Sequence, residues 1–252
     1  MKILYFTSTG NNLYISKRLG GELISIPQLM KSNDFNISDD VVGIVFPVFY
    51  ATSPKMIREF LKEVNITTDY LFLICSYGSD GDQNALKIMA KTLKKKGINV
   101  NYTNSVLMVD NYLPIFDMVQ EKNIKDDSEI DAQIDLIKND IESRKEYRLS
   151  KKSFTDIPHI EKVLGKIMTK RYHIIVGEGC INCGICVKVC PRANIILTEE
   201  KPVLADNCEF CLGCAHHCKN KVFTINNEPN DERYINPHIK LSEIIKSNNL
   251  GD

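Results

Sequence analysis

The chain has 252 residues, 43% of them hydrophobic and 25% charged, with 32 basic side chains balancing 32 acidic ones. The length exceeds one typical domain, and zero net charge supplies no field that would draw the protein to nucleic acid or an anionic surface. No nucleic-acid-reading motif is recognisable and no apolar run approaches bilayer length, so no membrane span is expected. With no charged-then-apolar leader at its start, the expected setting is cytoplasmic and reducing.

Residues 2–6, Lys-Ile-Leu-Tyr-Phe, form a short apolar run that breaks into Thr7-Ser8-Thr9-Gly10-Asn11-Asn12 before the helical pattern of Leu13, Ile15 and Leu19. This spacing predicts strand, loop and helix. A loop rich in hydroxyls and amides, freed by a glycine and opening onto a helix N-terminus, offers N–H donors and a favourable dipole to one phosphate. It lacks the Gly-Lys-Ser/Thr ending of a P-loop. The alternative is a polar turn that only caps the helix. Residues 23–26 supply a short extra strand. Residues 41–46 read as a buried parallel strand, followed by Ser53-Pro54 as cap and first position of a helix whose inward stripe is Met56, Ile57, Phe60, Leu61 and Val64. A third strand at residues 70–75 ends in the polar loop 76–82. A lysine-rich helix then turns Leu86, Met89 and Leu93 inward, and extended structure resumes from Ile98 through Val109. Strand and helix alternate as an α/β doubly wound parallel sheet requires. Such sheets bind ligands beyond the carboxyl ends of their strands, where loops 7–12, 47–53 and 76–82 fall.

Ile130, Ile134, Ile137 and Ile141 follow Ser128 at helical spacing, with Asp131 three residues after it in a capping-like arrangement. Charge then reverses: residues 121–140 carry seven acidic and three basic side chains, residues 142–171 nine basic and four acidic. The connector's apolar stripe is Ile160, Val163, Leu164, Ile167 and Met168. It reads either as a helix packing two domains together or as a docking face for an acidic redox partner. Lys94, Lys95 and Lys96 read as a solvated helix end.

Eight of the nine cysteines lie between Cys180 and Cys218, in two runs spaced C-x-x-C-x-x-C-x-x-x-C: Cys180, Cys183, Cys186, Cys190, then Cys208, Cys211, Cys214, Cys218. Short spacings let a looping backbone present three thiolates to a cubane, and in the two-cluster arrangement the fourth cysteine of each run serves the other cluster. The expected sets are therefore Cys180, Cys183, Cys186 and Cys218 for one [4Fe-4S] cluster, and Cys208, Cys211, Cys214 and Cys190 for the second. A disulfide framework and a pair of zinc sites are the alternatives. The first fits a small secreted domain, and the second needs two C-x-x-C units across a longer gap rather than tandem runs of four. Cys75 reads as a core thiol, and His216 and His217, inside the second run, as surface residues.

With these motifs quoted, Thr7-Ser8-Thr9-Gly10-Asn11 resembles the FMN phosphate loop of flavodoxins, and residues 173–226 are similar to bacterial two-cluster ferredoxins. The chain as a whole resembles flavodoxin-ferredoxin fusion proteins over most of residues 1–226. Flavodoxins usually place another hydroxyl where Asn12 stands; its amide nitrogen can still donate. Pro191 follows Cys190 as in ferredoxins, whereas Lys219 stands after Cys218 where proline is common. A lysine there would favour the reduced state of its cluster; the alternative is a merely solvated side chain. The resemblance implies FMN and two [4Fe-4S] clusters, a flavodoxin-like sheet of order 2-1-3-4-5 and a small α+β ferredoxin-like module. It places the isoalloxazine between Pro47, Phe49 and Tyr50 on one side and Ser76, Tyr77, Gly78 and Asp80 on the other.

The expected domains are 1–148 for the flavin, 149–172 as a helical connector, 173–226 for the clusters and 227–252 as a tail that packs back through Tyr234 and Pro237. The leading function is a low-potential electron carrier between FMN, the clusters and external partners such as ferredoxin- or flavodoxin-dependent oxidoreductases. The alternatives are a flavin-dependent reductase of a small organic acceptor, and a partner-docking module whose flavodoxin-like half lacks flavin.

Overall fold

The computed structural model describes residues 1–79, 81–147, 167–168 and 170–249. Chain order in the first half is β1 (Lys2–Tyr5), α1 (Asn11–Leu19), β2 (Glu22–Ser25), α2 (Ile26–Ser32), β3 (Asn36–Ser38), β4 (Val41–Pro47), α3 (Lys55–Glu63), β5 (Asn65–Thr67), β6 (Tyr70–Tyr77), α4 (Asp82–Lys95), β7 (Tyr102–Leu107), α5 (Met118–Ile124) and α6 (Asp127–Glu142). Five strands form one sheet in the order β2-β1-β4-β6-β7, every neighbouring pair parallel. Counting only these five, the order is the expected 2-1-3-4-5, the flavodoxin-like doubly wound arrangement. β3 and β5, which the apolar pattern does not reveal, add a separate short parallel pair.

Side-chain alternation along the strands fills both faces, which is why the strands read as unbroken apolar runs. Leu4, Ile44, Leu71 and Leu73 pack with Ile57, Phe60, Leu86 and Met89 on one face. Ile3, Val45, Phe72 and Ile74 pack with Leu13, Leu19 and the Ile130, Ile134, Ile137 and Ile141 stripe of α6 on the other. Gly43 makes room for this second layer, since a Cβ there would lie 2.0 Å from Phe72 Cζ. Each fully buried side chain of this kind contributes about 1.5–3 kcal/mol of transfer free energy.

Two helix starts differ from the sequence expectation. Asp126, not Ser128, caps α6: its carboxylate accepts the N–H of Ser128 at 2.7 Å, while Asp131 instead accepts from the Tyr14 hydroxyl and pairs with Arg18 at 2.6 Å. At α3 the cap position falls on Pro54, and no local side chain serves the helix end. The Met56 N–H is instead held by Glu209, 3.2 Å from each carboxylate oxygen. Of the connector stripe, Ile160, Val163 and Leu164 lie outside the described residues. Ile167 is exposed and Met168 packs on the apolar cluster around Phe223.

The cysteine-bearing segment is built twice. β8 (Ile174–Val176) pairs antiparallel with β11 (Phe223–Ile225), and β9 (Ile195–Leu197) with β10 (Pro202–Leu204). The shift that carries Cys180 to Cys208, 28 residues, also carries β8 onto β10 and β9 onto β11, register included. It carries the left-handed residues Asn182, Gly184 and Ala193 onto Phe210, Leu212 and Lys221 as well. The repeat therefore extends beyond the cysteines, through strands whose side chains have diverged. This segment and the C-terminal helix Leu241–Asn248 share a core with the sheet: Val189, Ile239 and Ile244 pack with Ile3, Leu13 and Ile15.

Candidate functional site

The loop after β1 is buried, with Thr7, Ser8, Thr9, Asn11 and Asn12 all less than a tenth exposed. Together with Pro47 and Phe49, Ser76, Tyr77 and Gly78, and residues 108–111, it lines a cavity of about 50 Å³ at the carboxyl edge of the sheet. Gly10 is not on that wall. Its φ of 109° lies in the left-handed region, and a Cβ there would lie 2.9 Å from Asn236 Cβ and 3.1 Å from Ile239 Cβ, so the glycine permits both the turn and the approach of the tail. Its N–H donates to Thr7 Oγ1 at 3.1 Å. The Asn11 side chain is also committed: its nitrogen donates to Val109 O, and its oxygen accepts from Tyr234 and Asn236. Asn12, 3% exposed on the cavity wall, has an amide oxygen without a hydrogen-bond partner.

A second cavity, of about 270 Å³, shares Phe49, Gly78 and Asp110 with the first. Its outer wall is aromatic. Tyr50 and Tyr112 stand edge-to-face, centroids 5.8 Å apart, with hydroxyls 3.3 Å apart; Tyr112 also meets Phe210, centroids 6.2 Å apart. Tyr50 and Ala51 adopt φ of 53° and 59° in a turn closed by paired Phe49 and Thr52, a conformation that non-glycine residues hold at some cost. Burial, then the neighbouring phenol, drives the Tyr50 hydroxyl well above its ordinary range, and burial raises that of Tyr112. Both remain neutral phenols.

Every described flavin residue named from sequence except Gly10 thus lines one of the two cavities, and Asp80 lies outside the described residues. Two contributions escape the sequence reading. Asp110, Asn111 and Tyr112 follow β7 at the same edge of the sheet. This was a readable signal, a polar and aromatic turn at a strand's carboxyl end. Phe210, Cys211 and Leu212 close the larger cavity from the cysteine segment, and no local pattern announces that.

Cys180, Cys183, Cys186 and Cys218 ring one cavity, and Cys190, Cys208, Cys211 and Cys214 ring another. Backbone N–H groups aim at sulfur in matched positions of the two halves: Asn182 to Cys180 (3.4 Å) and Phe210 to Cys208, Asn194 to Cys190 and Val222 to Cys218 (each 3.3 Å). Burial, then the surrounding thiols, pushes Cys186 up to about 11. Among the described residues no three Cys, His, Asp or Glu side chains converge closely enough to share a single metal ion. Lys219 borders the first cavity and is exposed.

His216 and His217 are not surface residues: they are 3% and 4% exposed. They lie in the helix Gly213–His217, which wedges against the flavin-side loops. His216 Nε2 is 2.8 Å from Asn111 O and its Nδ1 accepts the Tyr234 N–H; His217 Nε2 is 3.0 Å from Ser8 O. Burial lowers both pKa values, that of His216 to about 3. Cys75 is a fully buried core thiol. No helix of the described residues is long and apolar enough to cross a membrane.

No family model and no curated protein matches the chain. Among solved structures it is similar to a Bacteroides eggerthii protein assigned as a flavoprotein (18% identity over 54% of this chain and 96% of that one, TM-score 0.34) and to an archaeal flavodoxin (16%, 54% and 99%, 0.32). A flavone reductase matches over 90% of this chain and 81% of its own, at 13% identity and TM-score 0.34. Similarity this low leaves function to be argued from the chain's own residues.

Proposed function

We propose that the chain is an electron-transfer protein that holds FMN in the paired cavities and two [4Fe-4S] clusters in the two thiol rings. The observation that carries this reading is the shared wall. Phe210, Cys211 and Leu212 line the larger cavity, and Cys211 is also one of the four thiols around Cys190. A planar ring against Tyr50 and Tyr112 would therefore stand one side chain from the nearer thiol ring.

The donor sets fit these groups. The loop 7–12 and Asn12 suit a phosphate by neutral donors, with no lysine in the loop. The aromatic wall suits a ring. Thiols held by backbone N–H groups around a cavity suit a cluster better than one tetrahedral ion, whose 2.3 Å Zn–S bonds require convergence on a point. Bound there, FMN would supply exchange between one- and two-electron carriers and each cluster single-electron exchange. The chain's own residues set geometry and environment. The neutral phenols of Tyr50 and Tyr112 add no charge beside the ring, and Met56 N–H and Arg192 neutralise Glu209, which directly follows the ligand Cys208. External electron carriers are the partners this arrangement serves.

Anaerobic purification followed by iron, sulfide and flavin analysis tests the reading. About eight iron, eight sulfide and one FMN per chain are expected. Stoichiometric zinc, or iron without any capacity to bind FMN, would remove it.

A further inference from the structure

In the phosphate-loop candidate, three consecutive backbone carbonyls are held from behind by residues outside the doubly wound unit. Thr7 O accepts from Asn248 Nδ2 at 2.8 Å, Ser8 O from His217 Nε2 at 3.0 Å, and Thr9 O from the Asn236 N–H at 2.8 Å. The holders are buried, Asn248 completely, Asn236 to within 2% and His217 to within 4%. In a trans peptide unit C=O and the following N–H point in opposite directions. Fixing these three oxygens therefore turns the N–H groups of Ser8, Thr9 and Gly10 away from the holders. Gly10 N–H ends on Thr7 Oγ1, whereas those of Ser8 and Thr9 have no acceptor among the described residues, and both residues line the smaller cavity.

We infer that Asn248, together with His217 and Asn236, is a positioning residue for anion recognition. The C-terminal tail and the cysteine segment hold the phosphate loop in the conformation that offers its N–H groups. The inference rests on the FMN reading and adds that phosphate affinity is built by residues 217–248, far in sequence from the loop they serve. Asn248 Nδ2 also lies 3.3 Å from Val189 O, the residue before Cys190, so one buried amide ties the loop to the chain entering a thiol ring.

The test uses the full chain with its clusters assembled and compares FMN with riboflavin, which has the same ring and no phosphate, by quenching of flavin fluorescence. In the wild type FMN binds more tightly than riboflavin. Asn248→Leu, which removes the donor, lowers FMN affinity roughly tenfold and leaves riboflavin affinity within about twofold, at unchanged iron content. A second pair keeps the inference testable should that variant fold poorly: His217→Gln retains a side-chain N–H and keeps the preference for FMN, and His217→Leu loses it. A variant that loses both flavins together, or that keeps the full preference for FMN, overturns the positioning role while leaving the FMN site standing. A wild type that binds neither flavin overturns both.

Discussion

Arg192→Met removes the cation from the buried contact between the cysteine segment and α3. Its guanidinium is 7% exposed, lies 2.6 Å from Glu59 and 2.7 Å from Glu209, and neutralises a Glu209 side chain only 2% exposed. Removing one partner of a buried pair costs about 3–5 kcal/mol because the other charge is left uncompensated. Here the lower end applies, since Glu59 is one-third exposed and can turn to water, and Glu209 keeps the Met56 N–H at the start of α3. We expect a loss of about 3 kcal/mol, which in a chain of this size lowers the unfolding midpoint by roughly 6–12 °C. The double variant Arg192→Met/Glu209→Gln removes the stranded charge, keeps an acceptor for Met56 N–H and should recover about 2 kcal/mol of that loss. Thermal unfolding of wild type, both single variants and the double, at equal cluster content, closes the cycle. Additive effects, with no recovery in the double variant, would refute the view that Arg192 acts by compensating Glu209.

The flavin and thiol sites give further expectations. Tyr112→Ala strips the aromatic wall at its contact with Tyr50 and Phe210. It should weaken FMN and riboflavin alike, by roughly tenfold, so titration with both flavins separates a wall residue from a phosphate-loop residue. Gly10→Ala places a methyl within 2.9 Å of Asn236 Cβ at a φ of 109° and should cost about 1–3 kcal/mol, read by unfolding midpoint and FMN affinity together. Under the proposed assignment, Cys190→Ser should damage a cluster at Cys208, Cys211 and Cys214, and Cys218→Ser one at Cys180, Cys183 and Cys186. Electron paramagnetic resonance should show each variant losing a different cluster, and identical spectra from the two would contradict the crosswise assignment.

The sheet was legible because burial on both faces forces apolar runs at 41–46 and 70–75, and because Met56, Ile57, Phe60 and Leu61 repeat at helical spacing. That two sets of four cysteines line two cavities was legible in the repeated spacing of the two runs. The start of α3 was not, because its cap, Glu209, is remote in sequence, and local rules point to Ser53 instead. His216 and His217 looked exposed for the same reason: polar residues in a short segment carry no mark of the loops they meet in the fold. Nor did the tail show its part. Asn236 and Asn248 are ordinary polar residues in sequence, and only the fold brings them to Thr7 and Thr9.

The central claim, that flavin and thiol rings form one path within a single chain, is tested most directly by reductive kinetics on the loaded protein. A substoichiometric strong reductant is mixed anaerobically with the chain, and cluster and flavin absorbance are followed over a wide range of protein concentration. The shared wall at Cys211 predicts that electrons redistribute between clusters and flavin at a rate independent of protein concentration. A rate that rises in proportion to concentration, or clusters that stay reduced beside oxidised FMN of higher potential, would contradict it.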